Sequence, residues 1–64
     1  MANKKWFTVM SESGLNLRAE PNLRAEVLKI LDFGEKIEAD WTVEAPDVWL
    51  PVKGGGFVMR EFVK

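Results

Sequence analysis

The side chains of this sequence that could carry chemistry are serines, carboxylates and aromatic residues, because it contains no histidine and no cysteine. General-base catalysis usually relies on histidine, and a nucleophilic serine needs a neighbouring base. The two serines, Ser11 and Ser13, lie in a turn-like segment that offers no histidine. We therefore expect no catalytic residue, and we predict that the chain is not an enzyme.

The same inventory restricts metal and cofactor chemistry. A metal ion would have to be held by carboxylates alone, which suit Ca²⁺ or Mg²⁺. The sequence shows neither the spacing of a calcium-binding loop nor a glycine-rich phosphate loop. We expect no metal site and no cofactor, and the absence of cysteine leaves the redox compartment open.

Charge is nearly balanced, with nine basic and ten acidic residues and a net charge of −1. This balance argues against nucleic acid as a partner, because such binding relies on many phosphate contacts. Between residues 32 and 47, however, six acidic residues stand against one lysine, a net charge of −5. This stretch is either a solvated strand face with an acidic loop or a patch that attracts a basic partner.

The hydrophobic pattern is that of short strands. Sixty-four residues suit one domain, which we place at 1–64 with its core at about 6–63. Strand-like runs separated by turn residues occupy 6–10, 14–18, 27–31, 36–41, 48–52 and 57–59. Gly54–Gly56 reads as a hairpin turn, and 60–62 as a single helical turn. The pattern predicts an all-β barrel or sandwich.

Alternation along these runs predicts which side chains are buried. Leu15 and Leu17 share one face of their strand, with Asn16 and Arg18 on the other. The residues expected inside are Phe7, Val9, Leu15, Leu17, Ile37, Ala39, Trp41, Val48, Leu50 and Val52. Pro51 lacks a backbone donor and favours a sheet edge.

A pentapeptide at 16–20 recurs at 22–26. Taken alone, the second copy is helix-like, with Asn22 as an N-cap. Two six-residue units cannot form a solenoid. We interpret the second copy as a duplication inside a loop.

Several motifs in order resemble a known family. They are Gly14-Leu15-Asn16-Leu17-Arg18, Pro21, Val27-Leu28, Leu31, Gly34, Trp49 to Val52, and Gly56-Phe57-Val58. Together they resemble bacterial Src-homology-3-type (SH3b) domains over almost the whole chain. Departures from the family pattern are Glu20, where glycine often precedes the proline, and Phe57, where tryptophan or tyrosine is usual. The resemblance implies a small SH3-like barrel of five to six short antiparallel strands with a binding role.

Relatives of that family are commonly attached to peptidoglycan hydrolases, where they hold cell-wall peptides or glycans. Because side chains alternate along its strand, Trp49 should point away from the face that carries Val48, Leu50 and Val52. It then either binds a ligand or covers the end of the core as a lid. Arg18 could hold a carboxylate and Asn16 a peptide backbone, or both could cap loop backbone. The remaining candidates for ligand binding are Glu20, Asn22 and Trp6.

Two functional hypotheses remain from the sequence. The first is a bacterial or phage module that binds a peptide or peptidoglycan. The second is a free-standing intracellular protein that binds or inhibits a protein partner through its acidic face. No apolar run approaches the ~20 residues of a membrane span, and no signal segment is evident. We expect a monomer, in the cytoplasm if the chain is complete and at the cell wall if it belongs to a larger exported protein.

Overall fold

The structure is a computed structural model that describes residues 4–64. These residues form short strands and one 3-10 turn: β1 (Trp6–Thr8), β2 (Leu15–Arg18), β3 (Val27–Leu31), β4 (Lys36–Glu38), β5 (Trp49–Pro51), β6 (Phe57–Met59) and the C-terminal turn Arg60–Phe62. The all-β prediction and the single helical turn at 60–62 are confirmed. Within the described residues, no helix is long and apolar enough to cross a membrane.

The strands form two antiparallel sheets. The larger sheet has the order β3-β2-β6-β5, and the smaller one pairs β1 with β4. Isolated bridges join Val9 to Val63 and Ala39 to Val52, which ties the ends of the two sheets together. This arrangement agrees with an SH3-like fold and places β2 next to the β5–β6 hairpin.

The core lies between the sheets and follows the period of two in the sequence. Leu15 and Leu17 are buried while Asn16 and Arg18 are half-buried on the opposite face of β2. The buried cluster consists of Phe7, Val9, Leu15, Leu17, Leu31, Ile37, Ala39, Leu50 and Val58. Burying a side chain such as Leu50 completely stabilises the fold by roughly 1.5–3 kcal/mol.

Two residues expected in the core lie outside it. Val48 is 60% exposed because β5 begins only at Trp49 and the alternation does not extend back into the loop. Trp41 is 39% exposed and lies beyond the end of β4 at Glu38. Strand length is decided by pairing partners, so an apolar residue just outside a strand escapes the pattern.

Trp41 instead fastens the N-terminal segment to the barrel. Its indole N–H donates a hydrogen bond of 2.8 Å to the carbonyl oxygen of Lys4. Its ring packs edge-on against Phe7 with centroids 6.3 Å apart. The guanidinium of Arg60 lies 5.6 Å from the centre of the Trp41 ring, a distance suited to a cation–π interaction.

The glycine run at 54–56 is the β5–β6 hairpin turn, as predicted. The backbone N–H of Val52 donates to the carbonyl oxygen of Gly56 at 2.9 Å. Gly56 has a φ of +98°, and a Cβ there would lie 2.7 Å from Cδ1 of Leu17. Both the backbone conformation and the close approach of β2 therefore require glycine at this position.

The repeated pentapeptide adopts two conformations. The first copy forms part of β2, and the second lies in the loop at 19–26 without helix. Asn22 does not cap a helix, because its side-chain oxygen accepts a hydrogen bond of 2.9 Å from the backbone N–H of Arg24. The corresponding leucines differ accordingly: Leu17 is buried, whereas Leu23 is 64% exposed. Tertiary packing thus overrides identical local propensity.

Candidate functional site

A groove of about 370 Å³ runs along the outer face of β2. We call it the aromatic groove, and its lining residues are Ser11, Ser13, Gly14, Leu15, Asn16, Arg18, Leu23, Trp49, Met59 and Phe62. The strand order explains why these residues line one groove. β2 lies between β3 and β6, and β5 pairs with the other edge of β6. Three candidates from the sequence, Asn16, Arg18 and Trp49, therefore meet in one groove.

Trp49 is the wall of this groove and not an exposed platform. It is 6% exposed, so of its two predicted roles a ligand-binding one would have to use the small part of the ring that the groove reaches. The predicted alternation of Trp49 and Leu50 is nevertheless correct, since Leu50 belongs to the core cluster and Trp49 does not. Burial arises because the loop at 40–48 covers its second side; the backbone N–H of Trp49 donates to the carbonyl oxygen of Pro46 at 2.9 Å.

The loop side of Trp49 lines a further hollow of about 270 Å³, together with Trp41, Pro46 and Arg60. Trp49 therefore separates two surface hollows. Its indole N–H has no acceptor within residues 4–64. No buried side-chain nitrogen or oxygen of the described chain lacks a partner, so this N–H is accessible to solvent and free to donate to a ligand.

Arg18 holds the loop that forms the opposite wall of the groove. Its Nη1 donates to the carbonyl oxygens of Leu23 at 3.0 Å and Ala25 at 3.1 Å. This is the loop-capping role that the sequence left open beside a ligand role. Arg18 has no ion-pair partner within residues 4–64. Its remaining N–H groups are therefore available for a carboxylate.

Asn16 is half-buried beside these residues. Its side-chain amide makes no hydrogen bond to any residue between 4 and 64. An amide offers two donor hydrogens and one acceptor oxygen, which matches the needs of a peptide group. The groove is thus lined by two residues, Asn16 and Trp49, whose side-chain N–H groups have no partner in residues 4–64.

The other candidate residues lie elsewhere. Glu20 and Asn22 belong to the loop at 19–26 but do not line the groove. Trp6 is 53% exposed. It lines a different cavity, between the two sheets.

Sequence reasoning missed the apolar members of the groove, which are Leu23, Met59 and Phe62. For Leu23 the sequence contains one indication of a surface role, since it is an apolar residue inside a polar loop. Met59 and Phe62 gave none, because their place in the groove depends on how β6 and the C-terminal turn pack beside β2.

The acidic stretch is partly neutralised within the molecule. Glu38 lies 3.9 Å from Lys5 and 3.8 Å from Lys53. Glu35 lies 4.0 Å from Lys29. Of the acidic residues between 32 and 47, those without an ion pair or a side-chain hydrogen bond to another described residue are Asp32, Glu44 and Asp47.

The carboxylate of Asp40, a half-buried residue, is also hydrogen-bonded. One of its carboxylate oxygens accepts hydrogen bonds from the hydroxyl of Thr42 and, at 3.0 Å, from the backbone N–H of Thr42. These bonds favour the ionised form and hold the pKa of Asp40 below its ordinary value of 3.8.

Comparison with protein families shows that residues 13–64 match the bacterial SH3 domain. The matched region begins before β2 and includes most of the aromatic groove. Comparison with curated proteins gives no match. Domains of the matched family are generally non-catalytic binding modules. Because the match covers most of the sequence, the chain belongs to the bacterial SH3 domain family.

Proposed function

We propose that this domain is a non-catalytic module that binds the peptide portion of the bacterial cell wall in its aromatic groove. One observation carries the proposal: Trp49 and Asn16, whose indole N–H and side-chain amide have no partner in residues 4–64, line the same groove. Peptide carbonyl and N–H groups are their natural partners. The proposed location is accordingly the cell wall.

The apolar side of the groove supports an extended ligand. Leu23 and Phe62 offer exposed apolar surface, and Met59 adds a flexible thioether. The groove volume of about 370 Å³ falls at the small end of the ~300–1,000 Å³ range of ligand sites. Such a groove suits a few residues of a peptide, with Arg18 placed to meet a carboxylate.

The chemistry of the lining argues against catalysis. Arg18 is the one lining residue that carries charge. The hydroxyls of Ser11 and Ser13 lie 3.4 Å from each other, with no carboxylate or histidine in the lining to act as a base. Binding is what these groups support.

The test is a pull-down with insoluble bacterial cell wall. Leu23→Ala removes groove surface from an exposed position, so the fold should survive, and we expect about a 5-fold loss of retention, or ~1 kcal/mol. Val48→Ala is the matched control, because Val48 is 60% exposed and lines none of the three hollows described here. Absence of retention, or equal retention of both variants, would contradict the proposal.

The alternative, capture of a basic protein partner by the acidic face, rests on the three carboxylates Asp32, Glu44 and Asp47. Electrostatic capture weakens as salt screens the charges. If retention of the domain on the cell wall changes little between low and high salt, the result supports binding through the aromatic groove. A steep loss of retention with rising salt favours binding through the acidic face.

A further inference from the structure

β3 is an edge strand with one partner. It stands at the end of the larger sheet and pairs with β2. No backbone hydrogen bond joins residues 27–31 to any element other than β2 within the described range 4–64. In an antiparallel pair, alternate residues direct their N–H and C=O groups away from the neighbour. These groups of β3 therefore face outward without protein partners.

The opposite edge of the same sheet is protected. In β5, Pro51 has no N–H, and its carbonyl oxygen accepts a hydrogen bond of 2.9 Å from the backbone of Asp40. The bridge from Ala39 to Val52 covers the following residue. Of the two edges of the larger sheet, the open one is thus that of β3.

The side chains of β3 do little to prevent a further strand from pairing with its open edge. Val27, Leu28 and Ile30 are 41%, 50% and 62% exposed. Edge strands are usually short or carry proline or several charges. β3 has five residues, more than any other strand of the described chain, with Lys29 as its one charge.

A cavity of about 390 Å³ lies beside this edge, between β3 and β4. Its apolar lining includes Leu17, Leu31 and Ile37 from the two sheets, with Trp6 at one side. β3 and β4 do not pair with each other. Side chains from an added strand could therefore enter the space between them.

Lysines surround the cavity. Lys29, Lys36 and Lys53 line it, with Glu35 and Glu38 as the lining carboxylates. Lys29 pairs with Glu35, and Lys53 with Glu38. Lys36 has no carboxylate partner in residues 4–64; its Nζ lies 3.4 Å from the hydroxyl of Thr8. The rim is net positive on a chain whose overall charge is negative.

We propose that β3 accepts an extended acidic segment of a partner protein by strand addition. Backbone hydrogen bonds to β3 would supply affinity, and the cavity with its lysine rim would select apolar residues alternating with carboxylates. A second copy of this chain fits less well, because antiparallel pairing of two whole β3 strands sets Lys29 against Lys29. This site is separate from the aromatic groove and does not depend on its ligand.

The test uses two acetylated heptapeptides as probes, in which valine alternates with glutamate or with lysine. We expect the glutamate peptide to shift the amide signals of residues 27–31 in ¹H–¹⁵N spectra and to slow the exchange of their outward N–H groups. The lysine peptide should bind at least 10-fold more weakly. N-methylation of alternate residues in the glutamate peptide should abolish binding, since it removes the backbone donors.

Variants complete the test. Lys29→Glu should weaken binding of the glutamate peptide at least 10-fold, whereas Lys64→Glu, which changes net charge equally away from the cavity, should change it less than 2-fold. Unmoved signals at 27–31 with either peptide would overturn the proposal. So would a dilution-dependent shift of these signals without peptide, which would assign the edge to a second copy. Equal weakening by Leu23→Ala would assign the peptide to the aromatic groove.

Discussion

Arg18 and Leu23 are joined by a hydrogen bond of 3.0 Å from Nη1 to the carbonyl oxygen across five residues of chain. The bond links the outer face of β2 to the tip of the loop at 19–26, so one side chain forms part of the groove and also sets its opposite wall. We expect Arg18→Lys to loosen the loop, because a single ammonium cannot reproduce the planar fork of the guanidinium.

For Arg18→Lys, the free energy of unfolding should fall by about 1 kcal/mol. Amide exchange should accelerate at Arg24 and Ala25, whose N–H groups are hydrogen-bonded to Asn22 within the loop, while exchange in the core strands follows only the global change. Hydrogen exchange measured by nuclear magnetic resonance checks both. Equal acceleration throughout the domain would mean that Arg18 does not hold the loop specifically.

Trp49 should matter for stability as well as for binding. Because it is 6% exposed, Trp49→Ala should cost about 3 kcal/mol or more, a large share of the ~3–10 kcal/mol typical of this chain length. Trp49→Phe keeps most of the packing and removes the indole N–H, so it should destabilise by less while still weakening wall binding. Urea denaturation of both variants checks that Trp49→Ala lowers the free energy of unfolding more than Trp49→Phe does. An unchanged midpoint for Trp49→Ala would contradict the packed position.

Two glycines of the hairpin turn provide a matched pair. Gly54→Ala imposes a φ of +96° on a side chain that meets no atom within 4 Å, so its cost should be about 1–2 kcal/mol. Gly56→Ala adds a Cβ at 2.7 Å from Leu17 and 3.2 Å from the carbonyl oxygen of Arg18. Thermal unfolding should therefore show a larger loss for Gly56→Ala. Equal losses would show that β2 shifts to make room.

The pKa of Asp40 should respond to its hydroxyl partner. Its folded pKa lies below the ordinary value, so the stabilisation it gives is complete above that value and is lost as pH falls through the folded pKa. Thr42→Val removes the hydroxyl donor and keeps the backbone donor, so the pKa should rise partway towards 3.8. Carboxyl ¹³C titration of both proteins measures the shift. An unchanged Asp40 curve would show that Thr42 is not the cause.

The sequence determined the strand character of this protein and much of its core. Alternation is local, so Leu15 and Leu17 could be placed inside and Asn16 and Arg18 outside without knowledge of their partners. The hairpin at Gly54–Gly56 was predictable for the same reason, since the conformational freedom of glycine belongs to the residue itself.

Tertiary structure decided the ends of strands, the burial of Trp49 and both proposed sites. Val48 is exposed because pairing begins one residue later, and Trp49 is buried because a loop folds over it. The aromatic groove joins residues from 11 to 62, and the free edge of β3 exists because of the order in which strands pair. Such relations involve partners distant in sequence, and a periodic pattern carries no information about which strands become neighbours.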